Sequence, residues 1–88
     1  MNFVLEIVND KGLHARASAK FVETVERFDA RAHVSRDGME VSGDSIMGLM
    51  MLAAAKGTSI AVRVEGTEAA PLAEALRALV SGRFGEPS

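Results

Sequence analysis

Apolar and polar positions change period several times along the chain. Over residues 2–8, Phe3, Leu5 and Ile7 share one parity, and Asn2, Val4, Glu6 and Val8 share the other. That alternation predicts a first strand. Asn9-Asp10-Lys11-Gly12 then supplies turn chemistry. From about Ala15 to Phe28 the period lengthens. Phe21, Val25 and Phe28 fall at i, i+4 and i+7, with Ala17 and Ser18 one turn earlier. Arg16, Lys20, Glu23, Glu26 and Arg27 lie mostly elsewhere, so this segment reads as an amphipathic helix.

Residues 31–36 return to alternation, Ala32 and Val34 against His33 and Ser35. Asp37-Gly38 is a two-residue hairpin signal, because a type I′ turn needs positive φ at both positions. Met39 to Ser42 is the returning strand. Gly43-Asp44-Ser45 breaks it and opens a short helix, about Ile46 to Ala54, closed by Gly57 as C′ residue. Thr58 to Glu65 places Ile60, Val62 and Val64 inward and Ala61, Arg63 and Glu65 outward. Gly66-Thr67 is the next break, with Thr67 as N-cap. Leu72, Leu76, Leu79 and Val80 mark a last amphipathic helix, with Pro71 tolerable only in its first turn. Residues 81–88, with two glycines and a proline, read as a flexible tail.

The order is β-α-β-β-α-β-α in a single domain over residues 1–88. A chain of this size buries only roughly 60 to 65% of its unfolded surface, so its core is thin. Three helices with apolar stripes need a sheet or each other to cover them. The economical answer is α+β: a largely antiparallel four-stranded sheet with the helices on one face.

Composition narrows the function. The chain has no cysteine, hence no disulfide framework and no thiolate zinc site. Its formal charge of −2 comes from scattered residues, with no basic block to suggest nucleic acid. The first residues lack a basic n-region and a long apolar h-region, and no apolar run approaches a membrane span. The expected location is the cytoplasm.

One position carries chemistry. His14, in Gly12-Leu13-His14-Ala15-Arg16, lies between a strand-ending turn and a helix start. The first amides of a helix lack internal partners, and the helix dipole favours an anion there. Arg16 is able to hydrogen-bond phosphate oxygens in bidentate fashion. Gly12 permits a tight turn just before. An imidazole is a nucleophile near neutral pH. These parts suit a phosphoryl group on His14. A lone histidine at such a place is more often a solvated loop residue, and His33 reads simply as a strand surface residue. Two isolated histidines without cysteine predict no metal site, and no cofactor is expected.

The motif at residues 12–16 resembles the active-site signature of HPr, the histidine-containing phosphocarriers of the phosphoenolpyruvate-dependent phosphotransferase system. Asp44-Ser45-Ile46-Met47-Gly48-Leu49-Met50 is similar to that family's second motif, a regulatory serine opening a short apolar helix. The resemblance covers roughly residues 2–82, with matching element order and motif spacing. It implies an open-faced β-sandwich with a four-stranded antiparallel sheet and three helices. It implies that His14 takes a phosphoryl group on Nδ1 from phospho-enzyme I and passes it to a histidine of an EIIA-type protein. Arg16 is then the phosphate stabiliser, and Ala15, Arg16 and Ala17 bear the phosphate-binding amides. One position departs: the family usually has proline where this chain has Ala17, so the helix start is expected to be less rigid while transfer survives.

In the short helix, Ile46, Met47, Leu49, Met50, Met51 and Leu52 point to every side. Leu49 and Leu52 suit the core with Ala53 beside them, which leaves Ile46, Met47, Met50 and Met51 partly exposed. Methionine-rich apolar patches suit docking, and the resemblance assigns this helix to enzyme I, EIIA proteins and a kinase. Ser45 is a good N-cap in its own right. The resemblance adds regulatory phosphorylation by an HPr kinase/phosphorylase. The chain lacks a nucleotide loop or a magnesium-binding carboxylate set. The expectation is therefore a monomeric carrier with no nucleic-acid or membrane partner, and not a free-standing enzyme. The alternative is a regulatory binding protein that uses the Ile46/Met47/Met50 patch without phosphotransfer. A carrier's output is either sugar uptake or a regulatory branch.

Overall fold

A computed structural model describes residues 1–88. The strands are β1 (Asn2–Glu6), β2 (Arg31–Arg36), β3 (Met39–Ser42) and β4 (Ser59–Glu65). The helices are α1 (Ala15–Glu26), α2 (Ile46–Met51) and α3 (Ala69–Ser81), followed by a 3-10 turn at Arg83–Gly85. The sheet runs β1-β4-β2-β3 and every neighbouring pair is antiparallel. Its two central strands are β4 and β2, in the register Val34↔Val62 and Ala32↔Val64.

Strand alternation builds a two-layer domain. Leu5, Ala32, Val34, Ile60, Val62 and Val64 are buried on one sheet face. Phe21 and Val25 of α1, Leu49 of α2, and Leu72, Leu76 and Val80 of α3 cover them. The opposite face is open: Val4 is exposed, and Arg63 pairs with Glu40 across it. His33 is a half-exposed strand residue with Nε2 3.3 Å from Glu65, as its position suggests. At the hairpin, Asp37 (φ 52°) and Gly38 (φ 82°) both take positive φ, the requirement that singled them out.

Four expectations need correction. First, α2 ends at Met51, not Ala54, because Ala53 adopts φ 51° and turns the chain back. Ala54 is then buried in place of Ala53, and its carbonyl accepts from Leu13 N at 2.9 Å. Second, Gly57 (φ 89°) does not cap α2. It forms the turn into β4, with Thr58 N donating to Ala55 O. Third, the N-cap of α3 is Glu68, and Thr67 Oγ1 instead donates to Asp29 Oδ2 at 2.7 Å. Pro71 lies in the first turn, where it is tolerated. Fourth, residues 81–88 do not hang free as a tail. Phe84 is completely buried, Lys20 Nζ donates to its carbonyl at 2.7 Å, and Glu86 reaches His14. The phenylalanine outweighs its glycine neighbours: burying an aromatic ring is worth a few kcal/mol.

Candidate functional site

The site begins with a turn. Gly12 takes φ 65°, and its backbone packs so close to the chain after α2 that a Cβ would lie 2.4 Å from Ala54 O. Asn9, also completely buried, spans this turn, with Nδ2 donating to Gly12 O at 2.9 Å. Leu13 is buried, which fixes the backbone where the next residue leaves the core.

His14 is the N-cap residue of α1, with extended backbone (φ −74°, ψ −177°) and no side-chain cap bond. Its carbonyl accepts the first helical bond, from Ser18 N at 2.8 Å. The amides of Ala15, Arg16 and Ala17 precede that bond and have no protein partner, as helix geometry requires. Ala17 is buried, whereas the Arg16 side chain is exposed and makes no ion pair or hydrogen bond. The Arg16 guanidinium shares a concavity with the imidazole, and the helix start behind the ring carries three amides without a protein partner.

Glu86 is the site residue that sequence reasoning missed. Its Oε2 lies 2.5 Å from His14 Nε2, and its Oε1 accepts from Asn9 Nδ2 at 3.0 Å. The hydrogen bond from His14 holds the Glu86 carboxyl below the ordinary carboxylate range. The Asn9 bond and the charge of Lys11 assist, against partial burial. A carboxylate only accepts hydrogen bonds, so Nε2 carries the ring proton. Nδ1 of the neutral imidazole is then left with its lone pair and no partner. No signal in the sequence pointed to this pairing, because it joins residues 72 apart through a segment read as a tail.

His14 borders two concavities. One, of about 570 Å³, opens between the start of α1 and the tail, with Lys11, Arg16 and Glu86 in its wall. The other, of about 280 Å³, joins His14 to Met50 and the stretch Ala53–Ala55. His14 thus shares one concavity with Arg16 and the other with Met50 of α2. Ile46, Met47, Met50 and Met51 are all exposed on α2, Met47 by 73%, and of these Met50 lines the concavity beside His14. Ser45 sits at the other end of α2, where its Oγ accepts from Gly48 N at 3.0 Å as a true N-cap. It borders neither concavity. No cluster of potential metal ligands is present, and no helix is long and apolar enough to cross a membrane.

Known proteins match this chain in sequence and fold along nearly its whole length. The family described as "PTS HPr component phosphorylation site" matches residues 1–82. A phosphocarrier protein HPr of Neisseria meningitidis serogroup A is 50% identical over 82 residues, covering 93% of this chain and 92% of that one. A crystal structure of HPr from Thermoanaerobacter tengcongensis superposes with a TM-score of 0.94 at 35% identity, covering 100% of this chain and 99% of that one. One from Bacillus anthracis gives 0.86 at 38% identity, covering 91% and 95%. With the fold and sequence both matched along nearly the whole chain, this protein belongs to the HPr family, the phosphocarriers of the phosphotransferase system.

Proposed function

We propose that His14 is the phosphoryl acceptor, taking the group from phospho-enzyme I on Nδ1 and passing it to an EIIA-type protein. The observation that carries this reading is the nucleophilic ring set among unsatisfied cation and amide donors at the start of α1. In the first transfer the Nδ1 lone pair bonds to phosphorus while the bond from phosphorus to enzyme I breaks; in the second the acceptor histidine's lone pair bonds to phosphorus while the Nδ1–P bond breaks. Each time the donor keeps the electron pair of the bond that breaks. The amides of Ala15, Arg16 and Ala17 and the Arg16 guanidinium hold the phosphoryl oxygens, and the amides are already fixed by the helix backbone. The protein is a carrier and not a free-standing catalyst, working as a cytoplasmic monomer.

Partners dock on the exposed Ile46, Met47, Met50 and Met51, of which Met50 shares a concavity with the ring. Ser45 is a regulatory phosphorylation site for an HPr kinase/phosphorylase. A phosphate there adds about 1.5 to 2 negative charges at the head of the docking helix and repels enzyme I without unfolding the domain. The regulatory-only alternative leaves the free lone pair and the free Arg16 unexplained.

The experiment mixes the protein with enzyme I and labelled phosphoenolpyruvate. Phosphohistidine is acid-labile and base-stable, so label on His14 is expected to be lost in acid. A His14→Ala variant that still acquired acid-labile label would refute the assignment.

A further inference from the structure

An imidazole has two nitrogens that accept electrophiles, and in water its neutral ring exchanges the proton between them. Something must choose between the two if a carrier is to present one nitrogen to every partner. We propose that Glu86 makes this choice: it is a positioning residue that occupies Nε2 and leaves Nδ1 as the open nucleophile. The proposal rests on the reading of His14 as phosphoryl acceptor and adds the group that sets its regiochemistry.

The carboxylate is held from several directions. Oε2 meets Nε2 at 2.5 Å, and Oε1 takes the Asn9 amide at 3.0 Å. That same amide grips Gly12 O, so the turn carrying His14 and the carboxylate are tied to one completely buried side chain. Two residues earlier, buried Phe84 and the Lys20 bond to its carbonyl fix the segment from which Glu86 projects. Glu86 is only 13% exposed, so water does not compete freely for its oxygens. An acceptor-only carboxylate at Nε2 excludes the tautomer with its lone pair there. It also blocks the approach of phosphorus to that nitrogen. When the bond to phosphorus forms at Nδ1, the Nε2 proton stays in place and the ring becomes cationic. Glu86 then sits against that cation as its counter-charge.

The test needs no partner protein. Phosphoramidate phosphorylates imidazoles directly: the ring nitrogen bonds to phosphorus as ammonia leaves with the electrons of the P–N bond. Wild-type, Glu86→Ala and Glu86→Gln proteins are treated with it, and ³¹P NMR reads the ratio of Nδ1- to Nε2-phosphohistidine. ¹⁵N NMR of the untreated proteins reads the neutral tautomers, and thermal melts check folding. Wild type is expected to give Nδ1 product and a single Nε2–H tautomer. Glu86→Ala is expected to raise the Nε2 product roughly tenfold, the size of a lost charge-assisted hydrogen bond, and to show both tautomers. Glu86→Gln, which keeps an acceptor oxygen, should fall between. Folded variants that both retain the wild-type ratio and tautomer would overturn the proposal. Failure of enzyme I to label wild-type His14 would instead refute the carrier reading, because the phosphoramidate ratio does not depend on enzyme I.

Discussion

Gly12→Ala is the most informative single change. Three costs follow from the structure. A left-handed φ of 65° penalises any Cβ by about 1 kcal/mol. The new carbon would lie 2.4 Å from Ala54 O and 3.0 Å from Ala55 Cα, both backbone atoms that cannot swing aside. Relief requires the two segments to separate, which breaks the Leu13 N to Ala54 O bond of 2.9 Å. That loss costs about 1 kcal/mol for the bond and about 1 more for the stranded buried amide. The sum is about 3 kcal/mol. Urea denaturation measures it: with a slope of about 1.5 kcal/mol per molar, the midpoint falls by about 2 M. Gly38→Ala supplies the control, because Gly38 also has positive φ (82°) but open space around its would-be Cβ. It should lose only the conformational part, about 1 kcal/mol. Equal midpoints for the two variants would refute the close-approach argument and leave φ alone as the cause.

Three further outcomes are expected. Ser45→Ala removes the cap on Gly48 N and should cost about 1 kcal/mol in chemical denaturation, while Ser45→Asp should slow phosphoryl acceptance from enzyme I; a wild-type rate would count against electrostatic regulation. Ala17→Pro loses no intramolecular hydrogen bond, since the Ala17 amide has no protein partner, although it removes one of the three amides assigned to the phosphoryl group. It should stabilise the domain by about 0.5 kcal/mol and slow amide exchange over residues 15–19, and unchanged exchange together with an unchanged phosphorylation rate would sink the idea that alanine loosens this helix start. The Glu86 carboxyl is depressed in the folded protein by its bond from His14, so its contribution to stability is present above the unfolded carboxyl range and is lost as pH falls through the lowered folded value. Glu86→Gln should therefore flatten that part of the acid limb in a stability–pH profile, and an unaltered acid limb would show that the pairing is too weak to matter.

The parts of this molecule with a strong local period were legible from the chain. Phe21 and Val25, and Ile60, Val62 and Val64, announce their faces because helix and strand each repeat at their own spacing. The Asp37-Gly38 turn was legible because its dihedral demand is met by few residue pairs. His14 and Arg16 stand out through a motif at a helix start, and the structure places them at the cap and in the first turn of α1. What escaped depends on contacts between distant segments. Ala53 turns left-handed because Ala54 is needed against Leu13, a pairing that nothing near residue 53 encodes. Thr67 has a capping side chain but spends it on Asp29. Glu86 looked like part of a polar tail, and only the burial of Phe84 brings it to the ring.

The β1-β4-β2-β3 order also sets a timetable for synthesis. β1 and the turn bearing His14 are made well before the partner strand of β1, which begins at Ser59. The buried anchor Phe84 and the carboxylate on Nε2 arrive later still. A growing chain thus carries the histidine long before the carboxylate that its ring pairs with. A chain cut before Phe84 therefore keeps the motif at residues 12–16 but lacks both the anchor and the carboxylate that meets the ring.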